Sequence, residues 1–115
     1  MQQRYNVDVG VDDRQITLRV RGDVDIATAP HLLDAILCAA QANPGHDVVL
    51  DFGELDFIDS SGLRALVVAR GHVQDQGSSL RVANPIEPAR RIMTITGLDD
   101  LFLGPEDRTP ATSLD

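Results

Sequence analysis

The chain has 115 residues, 43% of them hydrophobic but only 3% aromatic, so one domain with a core of Val, Leu, Ile and Ala is expected. Eighteen acids against ten arginines, with no lysine, give a net charge of −8. That charge argues against binding DNA or RNA, where affinity rests on neutralising phosphates, and against an anionic membrane surface; the missing lysine removes P-loop, Schiff-base and lysine-assisted phosphoaspartate chemistry.

No apolar run approaches the roughly 18–20 residues that span a bilayer, and Met1–Tyr5 lacks an apolar signal region. A cytoplasmic protein is expected, and a monomer is the default. Cys38 is the single cysteine, which excludes an internal disulfide or a thiolate metal cluster. It falls in the body of a helical segment and reads as a small buried apolar residue.

Along the chain, Tyr5, Val7 and Val9 alternate with polar residues, a turn follows over residues 10–14, and Ile16, Leu18 and Val20 resume the alternation. This is the pattern of two half-buried strands in a hairpin. A polar link from Gly22 to Pro30 leads into a helix with a stripe of Leu32, Leu33, Ile36, Leu37 and Ala40, stopped by Asn43-Pro44-Gly45. Val48–Leu50 is a short unbroken apolar run, as expected of a central parallel strand. An acidic loop from Asp51 to Asp59 then reaches Ser60 and Ser61, which open a helix carrying Leu63, Leu66, Val67 and Val73 and ending near Gly77. Leu80–Ala83 predicts a strand. Ala89–Thr96 predicts a third helix, with Gly97 at its left-handed C-terminal position and Leu98 as the apolar contact that follows. Leu101–Leu103 is expected to form a last strand, and residues 104–115 a short helix or a tail. The fold class is α/β, a single domain over residues 1–115 with its core at about 5–103. An opening antiparallel hairpin leads into parallel central strands, with helices packed against the sheet.

Functional loops in such sheets follow the C-terminal ends of parallel strands, where Asp51–Asp59 is expected. Ser60 and Ser61 sit where a helix begins, with outward N–H groups that favour an attached anion. Asp51, Glu54, Asp56 and Asp59 surround them in sequence, so a hydroxyl that became a phosphate dianion would intensify one acidic patch. The other reading is plain: acids that keep a loop solvated, and a serine as an ordinary helix cap. The residues alone leave both open.

Other chemistries are disfavoured. Asp23-Val24-Asp25-Ile26-Ala27-Thr28 invites comparison with dehalogenase-like phosphatases, but Ala27 stands where Thr or Val is needed and the distant lysine is absent. A turn- or cap-forming aspartate explains the segment better. A receiver-type phosphoaspartate at Asp51 fails for the same missing lysine. A serine hydrolase needs a histidine in reach of its serine, yet His72 lies about 16 Å along the helix from Ser61. His46 belongs at the opposite end of the sheet, His31 has no third partner, and the Gly-x-Ser-x-Gly elbow is missing. None of the three histidines suggests a metal site.

Asp59-Ser60-Ser61-Gly62-Leu63 after a Val-rich strand closely resembles the STAS family, in particular bacterial anti-sigma factor antagonists. Gly22-Asp23-Val24-Asp25 is similar to the family's Gly-acidic-apolar-Asp element, and Pro88 to Leu98, with its Thr96-Gly97-Leu98 end, to its third helix. The similarity spans residues 5–103. It implies a non-enzymatic, cofactor-free protein that binds an anti-sigma factor with serine kinase activity, releasing a sigma factor in a stress response. Phosphorylation of Ser60 by that partner would switch it off, and a serine phosphatase would reset it. Asp25, Asp59, Ser60, Ser61, Gly62 and Leu63 would form the partner-binding surface. A non-switching STAS module, serving as a structural subunit of a lipid-transport or stress-signalling complex, is the alternative. The tail departs from the family's longer terminal helix because Pro110 interrupts it.

Overall fold

Two strands of alternating polarity open the chain, β1 (Asn6–Val11) and β2 (Gln15–Val24), paired antiparallel with Val9 opposite Leu18. They belong to a computed structural model that describes residues 5–85, 87, 89–97 and 102. Asp12 closes the hairpin by accepting the N–H groups of Arg14 and Gln15, each at 2.9 Å. Every second residue of β2 points into the core: Ile16, Leu18, Val20 and Val24 are fully buried. The chain continues through α1 (Ala29–Ala42), β3 (Asp47–Ile58), α2 (Ser60–Asp75), β4 (Leu80–Ala83) and α3 (Ala89–Thr96). The strands lie in the order β1-β2-β3-β4, with β2-β3 and β3-β4 parallel, giving the expected α/β class with a mixed sheet.

The stripe of α1 buries Leu32, Ile36 and Ala40, and α2 buries Leu63, Leu66, Ala69 and Val73. Both helices pack on each other and on the sheet, while the core takes in Ala89 and Met93 from α3 and the ring of Phe102. Asn43 caps the end of α1. Gly77, at φ 83°, and Gly97, at φ 78°, take the left-handed conformation that ends a helix where only glycine is unstrained.

Four expectations require correction. Residues 51–58 are strand, not loop: β3 runs to Ile58 beside an equally extended β2 whose Gly22 and Asp23 were expected to be link. Register shifts between Arg19 and Arg21 and between Gly22 and Asp23 each place one more residue on β3 than on β2. The inward residues therefore become Phe52, Leu55 and Ile58, a spacing of three that hides the two-residue period of a strand. Cys38 is exposed, because it lies two residues and hence about 200° round the helix from buried Ile36. Phe102 is helical and buried, not part of a strand; Leu101, Leu103, Leu98 and the tail lie outside the described residues. Val67, counted in the apolar stripe of α2, is 43% exposed.

Candidate functional site

The neighbouring ends of β2 and β3 bring two loops together. The Asp59 N–H donates to the Val24 carbonyl at 3.2 Å, so Asp25 and Asp59 leave the sheet side by side. Asp25 folds its carboxylate back onto its own loop, where Oδ1 accepts the N–H groups of Ala27 at 3.0 Å and Thr28 at 3.1 Å. The Thr28 N–H is the main reason its carboxyl sits below the usual carboxylate range. Thr28, only 2% exposed, donates its hydroxyl to the Asp23 carbonyl at 2.8 Å and accepts the Asp25 N–H at 2.9 Å. Asp25 is thus the turn-forming aspartate that local chemistry suggests, and Thr28 is the residue that locks the turn. A hydroxyl in a short polar link carries no sequence signal for that role.

Asp59, not either serine, caps α2. Its Oδ1 accepts the N–H groups of Ser61 at 2.9 Å and Gly62 at 3.1 Å. These are the donors expected to be free for an anion, so the helix tip already holds one. Ser60 is the first helical residue and is exposed; Ser61 is half-buried. Gly62 is enclosed so tightly that a Cβ would stand 2.6 Å from Ile58 Cγ1 and 2.8 Å from Val24 Cγ1. Only glycine lets the first turn of α2 come so near both strand ends. Leu63 enters the core at 5% exposure. Of the six residues expected at a partner surface, Gly62 and Leu63 hold the helix in place, and Asp25, Asp59, Ser60 and Ser61 keep some accessible area.

The acids that precede the serines do not all form one unneutralised ring. Asp51 faces Arg19 across the strands, with 3.7 Å between Arg19 Nε and Asp51 Oδ2. Arg21 bridges Asp8 at 3.4 Å and Glu54 at 2.6 Å. Burial would raise the Asp51 carboxyl, but the Asn84 amide, the Gly53 N–H and Arg19 together bring it below its ordinary value. These exposed pairs each contribute about 0–1 kcal/mol; they order the polar face of the sheet. His46 donates its Nε2–H to the Asp12 carbonyl, 3.0 Å away at the hairpin end, far along the strand from the serines.

Beside the serines lies an open cleft of about 380 Å³ between α1 and α2, lined by Ile26, Ala29, Pro30, Leu33, Ser61, Arg64, Ala65 and Val68. Ile26 is 78% exposed and Val68 39%, an apolar surface beside Ser61. The cleft was not legible in the sequence, since it depends on how two helices distant in the chain lie together. Among the described residues no group of three or more His, Cys, Asp or Glu is placed to hold a metal ion, and no helix is long and apolar enough to cross a membrane.

Comparison with known proteins places this geometry. An anti-sigma-B factor antagonist of Bacillus subtilis (strain 168) is 32% identical over 97 residues, which is 84% of this chain and 87% of that protein. Its counterpart in Staphylococcus epidermidis is 27% identical over 84% of this chain and 89% of its own length. Among solved structures, an anti-sigma factor antagonist from Mycobacterium paratuberculosis matches with a TM-score of 0.70 and 28% identity, over 86% of this chain and 83% of that one. The anti-sigma factor antagonist SpoIIAA in its unphosphorylated form matches with a TM-score of 0.73 over 94% of this chain and 90% of that one. At 17% identity that likeness speaks for the fold alone. The STAS domain model matches residues 6–113, and the chain belongs to the STAS domain family.

Proposed function

We propose that this protein is an anti-sigma factor antagonist, a cytoplasmic binding protein that acts as a monomer and is switched by phosphorylation of Ser60. The single observation that carries the reading is an exposed serine on the first residue of α2, directly before Ser61, which lines an open apolar cleft. The names of its relatives supply the partner class. The partner is an anti-sigma factor with serine kinase activity, and a serine phosphatase restores the unmodified state. In the transfer, the Ser60 oxygen bonds to the γ-phosphorus of ATP as the bond to the β-phosphate oxygen breaks. The serine proton leaves to a base on the kinase. ATP and its metal are bound by the kinase, while this chain contributes only the acceptor and its docking surface.

Unmodified, the Ser60 surface docks and the sigma factor is released. A phosphate adds about −1.5 to −2 charge next to Asp25 and Asp59, and a like charge misplaced across an interface costs several kcal/mol. Asp59 keeps its two backbone donors in either state, so the fold is retained while affinity falls. Ser60→Ala is expected to bind the partner as the unmodified protein does, and Ser60→Asp about a hundredfold more weakly, since about 1.4 kcal/mol is tenfold. Isothermal titration against the host's anti-sigma kinase measures both, and equal affinities would sink the switch. Phosphopeptide mapping of the protein from its own host, across growth and stress conditions, tests the site. A well-observed peptide that never carries phosphate on Ser60 would turn the assignment to a non-switching subunit of a larger complex.

A further inference from the structure

We propose that Arg64 is the internal counter-ion of phosphorylated Ser60, a clasp built into the first turns of α2; this rests on the reading of Ser60 as the phosphate acceptor. Two observations carry it. The backbone donors at the tip of α2 are already committed, because Asp59 Oδ1 holds both the Ser61 and Gly62 N–H groups. A phosphate on the residue between cap and second turn must find its charge compensation elsewhere. Arg64 lies four residues on, exposed, and among the described residues it makes no ion pair.

The geometry suits the pair. Residues four apart on a helix have Cβ atoms about 5–6 Å apart, and an acid placed N-terminal to a base is the favourable order. Long helical side chains lean toward the N-terminus, which carries the Arg64 guanidinium back toward Ser60. Its planar fork matches two phosphate oxygens. No other cation on α2 competes: Arg70 is ten residues from Ser60, about 15 Å along the axis, and Arg19 and Arg21 are engaged with Asp51, Asp8 and Glu54 on the polar sheet face. The nearby carboxylates, Asp25 and Asp59, are occupied by backbone donors.

Arg64 also lines the cleft between α1 and α2. Phosphorylation therefore makes two changes at the docking surface: it adds a dianion at Ser60 and withdraws the guanidinium from the cleft edge.

The test uses the full chain with phosphoserine encoded at position 60, in the wild-type, Arg64→Gln and Arg64→Lys backgrounds, titrated by 31P NMR. The second phosphate ionisation, ordinarily near about pH 6, is expected a few tenths of a pH unit lower in wild type and Arg64→Lys than in Arg64→Gln. In wild type the Arg64 Nε–H resonance is expected to move with the same midpoint. Equal midpoints in wild type and Arg64→Gln, or an Arg64 resonance indifferent to the phosphate, would overturn the clasp. Because the phosphoserine is encoded, the titration needs no kinase. A partner affinity unaltered by the phosphate would sink the switch and leave the clasp to be read from the midpoints.

Discussion

Opposite ends of the sheet use the same small device. At the hairpin end the Asp12 carboxylate accepts the N–H groups of Arg14 and Gln15; at the other end Asp25 and Asp59 each accept two N–H groups of the residues that follow them. In all three an aspartate finishes a turn by satisfying backbone donors that would otherwise be orphaned. The ends differ in what stands beside the device. Near Asp12 the nearest distinctive group is His46, held at a carbonyl. Near Asp25 and Asp59 there are an exposed serine, an apolar cleft and an arginine that makes no ion pair among the described residues. Acidity is therefore common to both ends and marks structure; the candidate function is marked by the hydroxyl and the cleft.

That contrast can be broken experimentally, first through packing. Gly62→Ala forces a methyl against Ile58 and Val24 at the site end, and overpacking of this kind costs about 1–3 kcal/mol. A melting temperature lowered by several degrees is expected, with partner affinity reduced because the first turn of α2 is displaced. Unchanged melting would mean that the strand ends yield and that the glycine is not needed for close approach.

A smaller effect separates the two ends more cleanly. Asp59→Ala removes the cap of α2, worth about 1 kcal/mol, and is expected to weaken both stability and binding. Asp12→Ala opens the hairpin turn and is expected to change stability alone. Calorimetry on each variant checks the pair, and a binding defect in Asp12→Ala would extend the functional surface to an end of the sheet now given only a structural role.

The smallest effect is one of pH. Asp12 and Asp25 both have carboxyl values lowered in the fold, chiefly by the N–H groups of Arg14 and Thr28 respectively. The unfolded chain binds those protons first, so their stabilisation is complete above about pH 4, the ordinary carboxylate value, and is lost as pH falls through the lowered folded values. Melts across that range should show Asp12→Asn and Asp25→Asn each flattening the acid-side loss. If neither does, their backbone bonds do not favour the charged form.

Much of this arrangement is visible in the sequence, and what is hidden has identifiable causes. Alternation marked β1 and β2, helical stripes marked α1 and α2, and the punctuation at Asn43, Gly77 and Gly97 marked the ends. The start of α2 at Ser60 was legible because a small hydroxyl pair follows an apolar strand and an aspartate. The length of β3 was not, since two register shifts turn its inward spacing from two to three and place charged Asp51 and Glu54 opposite Arg19 and Arg21. The exposure of Cys38 follows from its angle to Ile36, which a run of apolar neighbours conceals. Arg64 and Thr28 look like ordinary surface or linker residues until the fold brings a cleft to one and strand ends to the other.

The close seating of Gly62 on Ile58 and Val24 has a consequence for signalling. If a helix tip seated this closely keeps one packing arrangement in both states, the switch proposed above carries no internal threshold. Partner occupancy should then follow the modified fraction of molecules in direct proportion, a graded dose–response. Under the switch proposed above, any steepness in the cellular output would have to arise from competition between the proposed kinase and phosphatase at Ser60.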